Sequence, residues 1–207
     1  MQATDCVVHI VDDEESIRKS LTFLLTTVGF TVRVHESGAQ FLAIASGLKN
    51  CCLVTDLRMP EMDGVELLQR LREIPVVIPS IVVTGHGDVP MAVRAMKAGA
   101  VDFIEKPFAD EVLIGAIRSA AEGLAGGEAR EDVASIQSNM ALLTDREKEV
   151  LYRVVEGQQN KVIAYNLAIS PRTVEVHRAN VMAKMGAHSL PELVRMTLAA
   201  GLDTRAG

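Results

Sequence analysis

The chain has 207 residues, of which 48% are hydrophobic, with a formal net charge of −6, no tryptophan and two tyrosines. This length suits about one large or two small domains, and the composition predicts aliphatic cores. No run approaches the roughly 18 consecutive apolar residues of a membrane span, and no basic segment followed by an apolar one opens the chain, so we expect a cytoplasmic protein with no membrane partner.

Two kinds of segment alternate along the chain between about residues 6 and 124. Short apolar runs, each strand-like, are followed by segments in which apolar residues recur every three or four positions. This alternation predicts five strands and five helices that form βαβ units around a parallel sheet.

Residues that favour helix ends stand at the borders of these helical segments. The first segment stops at Gly29, and the second begins at Ser37 with Gln40 three residues later, the spacing of a capping box. The fourth begins at Asp88 and stops at Gly99. The other two helices are predicted from about Val65 to Arg72 and from about Ala109 onward.

Polar side chains follow four of the apolar runs, at the point where each predicted strand ends. They are Asp12 with Asp13, then Asp56, Thr84 and Lys106, the last followed by a proline. Because the carboxyl ends of parallel strands meet at one edge of a sheet, where ligands bind, we expect these groups to converge.

The chemistry of these groups is typical of phosphoryl transfer. Carboxylates that lie close together raise one another's pKa, and a divalent cation with oxygen ligands, Mg²⁺, relieves that repulsion. Lys106 adds a fixed positive charge and Thr84 a hydroxyl group, both suited to phosphoryl oxygens, and Asp56 would be the nucleophile. The alternative for a single aspartate is that it only caps the following helix.

The segment from residue 123 to 143 has the composition of a linker. It begins with a glycine-rich stretch and continues as a polar, weakly periodic sequence. Val133, Ile136 and Met140 are spaced by three and four positions, so its second half is compatible with a helix.

Residues 144 to 201 show no strand pattern, and residues that favour helix ends recur along this segment. Thr144 with Glu147, and Ser189 with Glu192, have the spacing of capping boxes. Ser170 precedes a proline and begins a helix that runs to Lys184 and closes at Gly186, after a short helix from Lys161 to Leu167. Only three residues separate these two helices, a helix-turn-helix arrangement.

This segment combines local positive charge with an outward face suited to DNA. Residues 158–190 contain four basic residues and one acid. A helical projection places Val174, His177, Arg178, Val181 and Met185 inward and Arg172, Val176, Ala179 and Ala183 outward. Small apolar outward side chains suit a major groove, although a purely structural helical bundle shows similar caps and stripes.

Eight residues are the predicted DNA contacts. Val176 and Ala179 can meet thymine methyl groups, and Glu175 can accept a hydrogen bond from cytosine. Arg178 lies near the packed face, where it either reaches the DNA backbone or shields the core. The full set is Lys161, Arg172, Thr173, Glu175, Val176, Arg178, Ala179 and Lys184.

Residues 5–124 resemble a response-regulator receiver domain, with Asp12, Asp13, Asp56, Thr84, Phe103 and Lys106 at its motif positions. The resemblance implies a flavodoxin-like α/β fold with a five-stranded parallel sheet in the order 2-1-3-4-5. It implies that Asp13, Asp56 and the backbone carbonyl of Arg58 bind Mg²⁺, with Asp12 acting through water. It also implies that Asp56 accepts a phosphoryl group, that Thr84 and Phe103 form a switch pair, and that the peptide before Pro107 is cis.

Residues 143–204 resemble a small all-α, four-helix LuxR-type helix-turn-helix domain, which leaves 125–142 as the linker. The resemblance rests on Leu143 to Glu147, Asn160-Lys161, Ser170 to Val174, His177 and Lys184-Met185. Together the two domains are typical of the NarL/FixJ family of response regulators. That family implies a sensor histidine kinase, double-stranded DNA and RNA polymerase as partners, and a homodimer on phosphorylation. The receiver details Gly85 to Met91 and Arg94 to Lys97 resemble FixJ-type members, which implies a FixL-like kinase and activation of nitrogen-fixation and low-oxygen genes.

We therefore expect a two-component transcriptional activator that catalyses only its own phosphorylation and dephosphorylation. Three alternatives stay open at this point. They are a family regulator of a different pathway, a phosphate sink with a degenerate helical module, and a phosphotransferase or phosphatase with an aspartyl-phosphate intermediate. The run Asp56-Leu57-Arg58 lacks the second acid that such hydrolases place two residues after the nucleophile, which disfavours the enzyme.

Overall fold

The computed structural model describes residues 6–85, 87–124 and 133–201, which divide between two compact units. The first unit contains a five-stranded sheet in the order β2-β1-β3-β4-β5, and all its strand pairings are parallel. The strands are β1 (Val7–Val11), β2 (Thr31–His35), β3 (Cys51–Asp56), β4 (Ser80–Thr84) and β5 (Ala100–Glu105). The strand order that the resemblance implied is confirmed.

Five helices alternate with these strands along the chain, as the sequence predicts. They are α1 (Glu15–Thr27), α2 (Gly38–Ala45), α3 (Gly64–Arg72), α4 (Val89–Ala98) and α5 (Asp110–Leu124). The first unit holds α1, α2, α3 and α5, and α4 is assigned to the second unit.

The central strands are buried along their whole length, which explains their uninterrupted apolar sequences. Strand β4 is fully buried and β3 is buried up to its last residue, Asp56, whereas the edge strand β2 is largely exposed. Helices that cover both faces of a parallel sheet produce this pattern. The core is aliphatic, and Leu25, Ile81, Leu113 and Ile117 are completely excluded from solvent.

Helix α3 begins one residue earlier than the sequence predicts, because the preceding aspartate caps it. The Asp63 carboxylate accepts a hydrogen bond from the Glu66 N–H at 2.7 Å. A methyl group at Gly64 would lie 2.5 Å from the Asp56 carbonyl oxygen, well inside van der Waals contact. Glycine at this position therefore lets the start of α3 approach the end of β3.

The second unit also contains the helices after residue 132. The first of them, α6, lies in the second half of the predicted linker, where the spacing of apolar residues was compatible with a helix. The bounds are α6 (Val133–Ala141), α7 (Asp145–Val155), α8 (Asn160–Asn166), α9 (Pro171–Met185) and α10 (Leu190–Ala199). Helix α6 buries Ile136 in a cluster with Leu151, Val181 and Met185, and Asn139 donates a hydrogen bond to the Met185 carbonyl. The sequence assigned this segment to the linker, but in the structure it packs against α7, α9 and α10.

The helix borders of the second unit agree with the capping residues named from the sequence. Thr144 and Glu147 form both bonds of a capping box, and the side chains of Ser170 and Ser189 each accept an N–H from three residues later. Gly186 has a φ of 73° and ends α9 in the left-handed conformation that favours glycine. These borders were predictable because a cap depends on residues that are neighbours in sequence.

No helix within the described ranges is long and apolar enough to cross a bilayer.

Candidate functional site

Three of the predicted polar groups meet at the carboxyl edge of the sheet. The Lys106 ammonium, just after β5, lies 3.5 Å from Oδ2 of Asp12 and 3.5 Å from Oδ1 of Asp56. Asp12 follows β1 and Asp56 ends β3, so residues far apart in sequence are joined through one cation. The strand order brings them together as the sequence predicts.

The Asp56 carboxylate lies in a half-enclosed environment that disfavours its charged form. Its side chain is 12% exposed, and Oδ2 accepts the Arg58 N–H at 2.6 Å. Burial raises the pKa of Asp56, the Arg58 N–H and the Lys106 ammonium oppose that rise, and the neighbouring Asp12 charge adds to it. A further cation at this edge would stabilise the ionised carboxylate that a nucleophile requires.

Asp12 serves the pocket and the start of α1 with different oxygens. The residue is 4% exposed, its Oδ1 accepts the Glu14 N–H at 2.9 Å, and its own N–H donates to the His35 carbonyl at 3.3 Å. The remaining oxygen, Oδ2, faces Lys106. Asp12 therefore orients the entry into α1 and faces Lys106 at the same time.

The donor set of the pocket fits Mg²⁺ better than a metal held entirely by side chains. Over the described part of the chain, no group of three or more histidine, cysteine, aspartate or glutamate side chains is arranged to hold a metal ion. Mg²⁺ usually keeps several waters and binds one or two carboxylates together with phosphate oxygens, so a pocket with few carboxylates fits it. Ligation by Asp13, Asp56 and the Arg58 carbonyl stays a prediction.

The two residues of the expected switch pair lie on neighbouring strands. Thr84 ends β4, is 1% exposed, and accepts the Lys106 N–H at its carbonyl at 2.8 Å. Phe103, on β5, is half-buried, and its ring lies beside Gly87, where a methyl group would come within 3.1 Å of it. The expected cis peptide between Lys106 and Pro107 is present. The switching role of the pair stays a prediction.

The two faces of α9 match the helical projection. Val174, Val181 and Met185 are buried, whereas Val176, half exposed, and Ala179 face outward. The outward face of the second helix of the helix-turn-helix is therefore small and apolar, as a groove-reading helix requires.

The charged candidates differ in how far their side chains are free to meet a phosphate. Lys161 is exposed, and the exposed Arg172 forms a surface ion pair with Glu175 at 3.1 Å. Thr173 donates its N–H to the Ser170 side chain and lies 2.8 Å from it through its hydroxyl, so it also serves the cap of α9. All four DNA roles stay predictions, with Lys161 and Arg172 the most accessible cations.

Arg178 and Lys184 make contacts inside the unit that the sequence did not predict. Arg178 donates to Oδ1 of Asn160 at 2.6 Å, which ties α9 to the first residue of α8, and burial lowers the pKa of its guanidinium. Lys184 lies 2.6 Å from Oε2 of Glu147, whose side chain is 5% exposed. Both basic residues thus fix the position of α9, in addition to any contact with DNA.

The Glu147 carboxylate makes the stability of the fold depend on pH in the acid range. The Lys184 ammonium, followed by the Thr144 N–H, holds the pKa of Glu147 at about 2, below its ordinary value of 4.5. A depressed carboxylate pKa contributes stability above its ordinary value and loses it as the pH falls through the folded value. The contribution is therefore complete at neutral pH and disappears between about 4.5 and 2.

We expect Glu147→Gln to lower the melting temperature at neutral pH and to narrow its difference from the parent as the pH approaches 2. The amide cannot form the ion pair with Lys184. The variant therefore has no stabilisation from this pair that could be lost as the pH falls. Thermal unfolding of the full chain, followed by circular dichroism across this pH range, measures the effect. Glu149→Gln, which removes the exposed partner of Arg146, is the matched control and should change little. A gap between parent and Glu147→Gln that does not depend on pH would contradict the assignment.

Comparison with known families matches two segments of the chain to two domain families. Residues 8–118 match the response regulator receiver domain, and residues 141–197 match bacterial regulatory proteins of the luxR family. The matched segments contain Asp12, Asp56 and Lys106 in the first and the helix-turn-helix in the second.

Relatives share this arrangement along nearly their whole length. The transcriptional regulatory protein FixJ of Rhizobium meliloti (strain 1021) is 63% identical over 199 residues, which cover 96% of this chain and 98% of that protein. The C4-dicarboxylate transport transcriptional regulatory protein DctR of Rhodobacter capsulatus is 48% identical, covering 92% and 98%. The crystal structure of full-length FixJ from B. japonicum is 46% identical with a TM-score of 0.56, covering 96% and 98%.

Proposed function

The chain belongs to the FixJ-type two-component response regulators, which are transcription activators, and from this membership we propose that phosphorylation of Asp56 controls its binding to promoter DNA. The observation that carries the proposal is the convergence of Asp56, Asp12 and Lys106 at one edge of the sheet. A buried carboxylate beside a fixed cation is the arrangement that receives a phosphoryl group and balances its charge.

The residues of the pocket divide the work of phosphoryl transfer. Asp56 attacks phosphorus and displaces the leaving group, forming an acyl phosphate. Lys106, 3.5 Å from Oδ1 of the attacking carboxylate, balances the charge on the phosphoryl oxygens, and Thr84 offers them its hydroxyl. Asp13, Asp56 and the Arg58 carbonyl, with Asp12 acting through water, would hold Mg²⁺, which would supply positive charge to neutralise the phosphoryl group.

The modification acts on DNA binding through two states of the first unit. The phosphoryl oxygens draw the Thr84 hydroxyl toward them, and the ring of Phe103 turns into the space beside it. This change favours a homodimer, which presents two helix-turn-helix units to half-sites about one DNA turn apart. The acyl phosphate thus selects the dimeric, DNA-binding population.

The second unit reads DNA with the outward face of α9. Val176 and Ala179 contact base edges, while Lys161 and Arg172 contact phosphates. Arg178 and Lys184 hold α9 against α8 and α7 and contribute their charge from the rim of this surface. Double-stranded DNA is therefore the macromolecule that this unit binds.

The partners follow from the family. A FixL-like sensor histidine kinase supplies the phosphoryl group, and RNA polymerase is recruited to the activated promoter. The 63% identity with a FixJ protein supports promoters of nitrogen-fixation and low-oxygen genes. The 48% identity with a regulator of C4-dicarboxylate transport favours a different pathway as the second candidate.

Incubation with Mg²⁺ and radiolabelled acetyl phosphate tests the proposal. Protein-bound label, phosphate released to solution, dimer formation and DNA retention are followed in the same samples. We expect at most one label per chain, together with dimerisation and tighter DNA retention. Continued release of phosphate without DNA retention would instead establish the phosphatase or phosphotransferase alternative.

We expect Lys161→Ala to weaken binding to all DNA sequences alike and to reduce the slope of log affinity against log salt by about one unit. The reason is that an exposed lysine that contacts a phosphate releases about one counterion and reads no base. Fluorescence anisotropy with a promoter duplex and a scrambled duplex measures both quantities. Lys19→Ala removes the same charge from α1, where the lysine is 75% exposed, and should leave the slope unchanged. A loss of affinity confined to the promoter duplex would assign Lys161 to base recognition.

A further inference from the structure

Arg18 lies on α1, directly beneath the loop that carries Asp12 and Asp13. Its side chain is 10% exposed, and one guanidinium nitrogen, Nη1, donates to the carbonyl of Asp12 at 2.8 Å and to the carbonyl of Asp13 at 2.9 Å. The other, Nη2, lies 3.5 Å from Oε1 of Glu36. The pocket roles proposed for Asp12, Asp56, Thr84 and Lys106 do not involve this buried arginine.

The two carbonyls that Arg18 binds belong to the peptide units on either side of the Asp13 α-carbon. Each peptide unit is planar, so its orientation is fixed when its carbonyl is held. With both planes held, the backbone dihedral angles of Asp13 are fixed, and so is the direction of its Cα–Cβ bond. Arg18 therefore sets the direction in which the Asp13 side chain leaves the backbone, through contacts with the backbone alone.

Asp12 has anchors of its own, but Asp13 depends on this clamp. Asp12 is buried, its carboxylate accepts the Glu14 N–H, and its N–H donates to the His35 carbonyl. Asp13 is exposed, so packing does not fix its position. Of the two residues, the exposed Asp13 therefore depends more on an oriented backbone for the position of its side chain.

The loop, rather than Glu36, is the main partner of Arg18. The Glu36 side chain is 70% exposed and lies at the long distance of 3.5 Å, and exposed ion pairs contribute little. Two hydrogen bonds from a buried cation to carbonyl oxygens are stronger, because the donor is charged and water is excluded.

We propose that Arg18 is a positioning residue that aims the Asp13 carboxylate at the divalent cation of the phosphorylation site. The proposal rests on the proposed function, since it assumes that Mg²⁺ binds at this edge. Groups that orient a metal ligand typically change metal affinity by about 10- to 100-fold when they are removed. Arg18 acts on the ligand through the backbone.

Calorimetric titration of Mg²⁺ into the full chain, without any phosphodonor, tests this role. We expect Arg18→Met, which keeps the apolar stem and removes the donors, to raise the Mg²⁺ dissociation constant about tenfold. Arg18→Lys should fall between Met and the parent, because an ammonium keeps the charge but lacks the planar geometry that directs the two hydrogens of Nη1 at both carbonyls. Glu36→Gln, the matched control on the outer partner, should change the dissociation constant less than about twofold.

Thermal unfolding without Mg²⁺ separates positioning from a general loss of stability. A folded Arg18→Met or Arg18→Lys variant that binds Mg²⁺ as tightly as the parent overturns the proposal, even if its melting temperature is lower. If Arg18→Met does not fold, Arg18→Lys decides by the same criterion. A parent chain that binds no Mg²⁺ overturns the proposed function as well, whereas normal binding by the parent and an unaffected variant overturns only the role of Arg18.

Discussion

The Asp56→Asn variant should incorporate no phosphoryl group above background and should bind promoter DNA no better with a phosphodonor than without one. Asparagine has nearly the size of aspartate and keeps an oxygen that can accept the Arg58 N–H, so the loop after β3 is preserved. The amide is not a nucleophile, and its neutral oxygen gains little from Lys106. Phosphorylation and the increase in DNA affinity that follows it should therefore be lost together, while the fold is preserved.

Protein-bound label and DNA affinity, measured in parallel on parent and variant, give this result directly. Asp63→Asn is the matched control, because the same chemical change falls on the cap of α3, where asparagine caps about as well as aspartate. That control should be labelled like the parent. If the Asp56→Asn variant is labelled to the same extent as the parent, Asp56 is not the nucleophile.

The second large effect is expected for Lys106→Met, which should slow phosphorylation about 10²- to 10³-fold, the usual consequence of removing one preorganised electrostatic group. The ammonium lies 3.5 Å from both Asp12 and Asp56, so its loss leaves two carboxylates without their shared cation. Lys106 also lowers the pKa of Asp56, against burial and the Asp12 charge, which raise it. Without Lys106 the pKa of Asp56 rises, and the acid limb of the pH–rate profile should move to higher pH.

Rates of label incorporation from acetyl phosphate at saturating Mg²⁺, measured over a range of pH, test both parts of this prediction. Lys19→Met is the control, because that lysine is exposed on α1 and pairs with Glu15 at the surface. A Lys106→Met variant that reacts within about twofold of the parent would remove this lysine from the charge balance on the phosphoryl group.

The edge of the sheet could be predicted from the sequence because its geometry follows from topology. Asp12, Asp56 and Lys106 each stand at the end of an apolar run, and parallel strands bring such ends together whatever their separation along the chain. The helix borders at Ser37 and Thr144 were also predictable, since a cap is a local interaction between residues three positions apart. What the sequence could not give is the balance of burial and charge that sets the pKa of Asp56.

The contacts that sequence reasoning missed are long-range pairs of charged residues. Arg18 precedes Leu21 and Leu25 on the buried stripe of α1, and Glu147 occupies the same kind of position on α7. A charge on an apolar stripe indicates a buried partner, and that signal was available. The identity of the partner was not, because the Asp12–Asp13 carbonyls and Lys184 are brought near only by the tertiary fold.

The packing partners of α6 likewise could not be predicted from the sequence. The spacing of its apolar residues was compatible with a helix, but its apolar face is narrow and lies in a polar segment, so the pattern does not say what the helix packs against. The contact of Ile136 with Leu151 and Val181, together with the Asn139 hydrogen bond to Met185, depends on where α9 ends. That position is a property of the folded unit.

The most direct test of the account measures phosphoryl occupancy of Asp56 and DNA affinity in the same sample. Borohydride reduces an acyl phosphate to the corresponding alcohol, so mass spectrometry of the trapped chain identifies the modified carboxylate and its occupancy. Fluorescence anisotropy of a promoter duplex on a parallel aliquot gives the affinity. The trapped residue should be Asp56, and the affinity for DNA should rise in step with its occupancy. Trapping at another carboxylate, or an affinity that does not change as Asp56 becomes fully modified, would contradict the account.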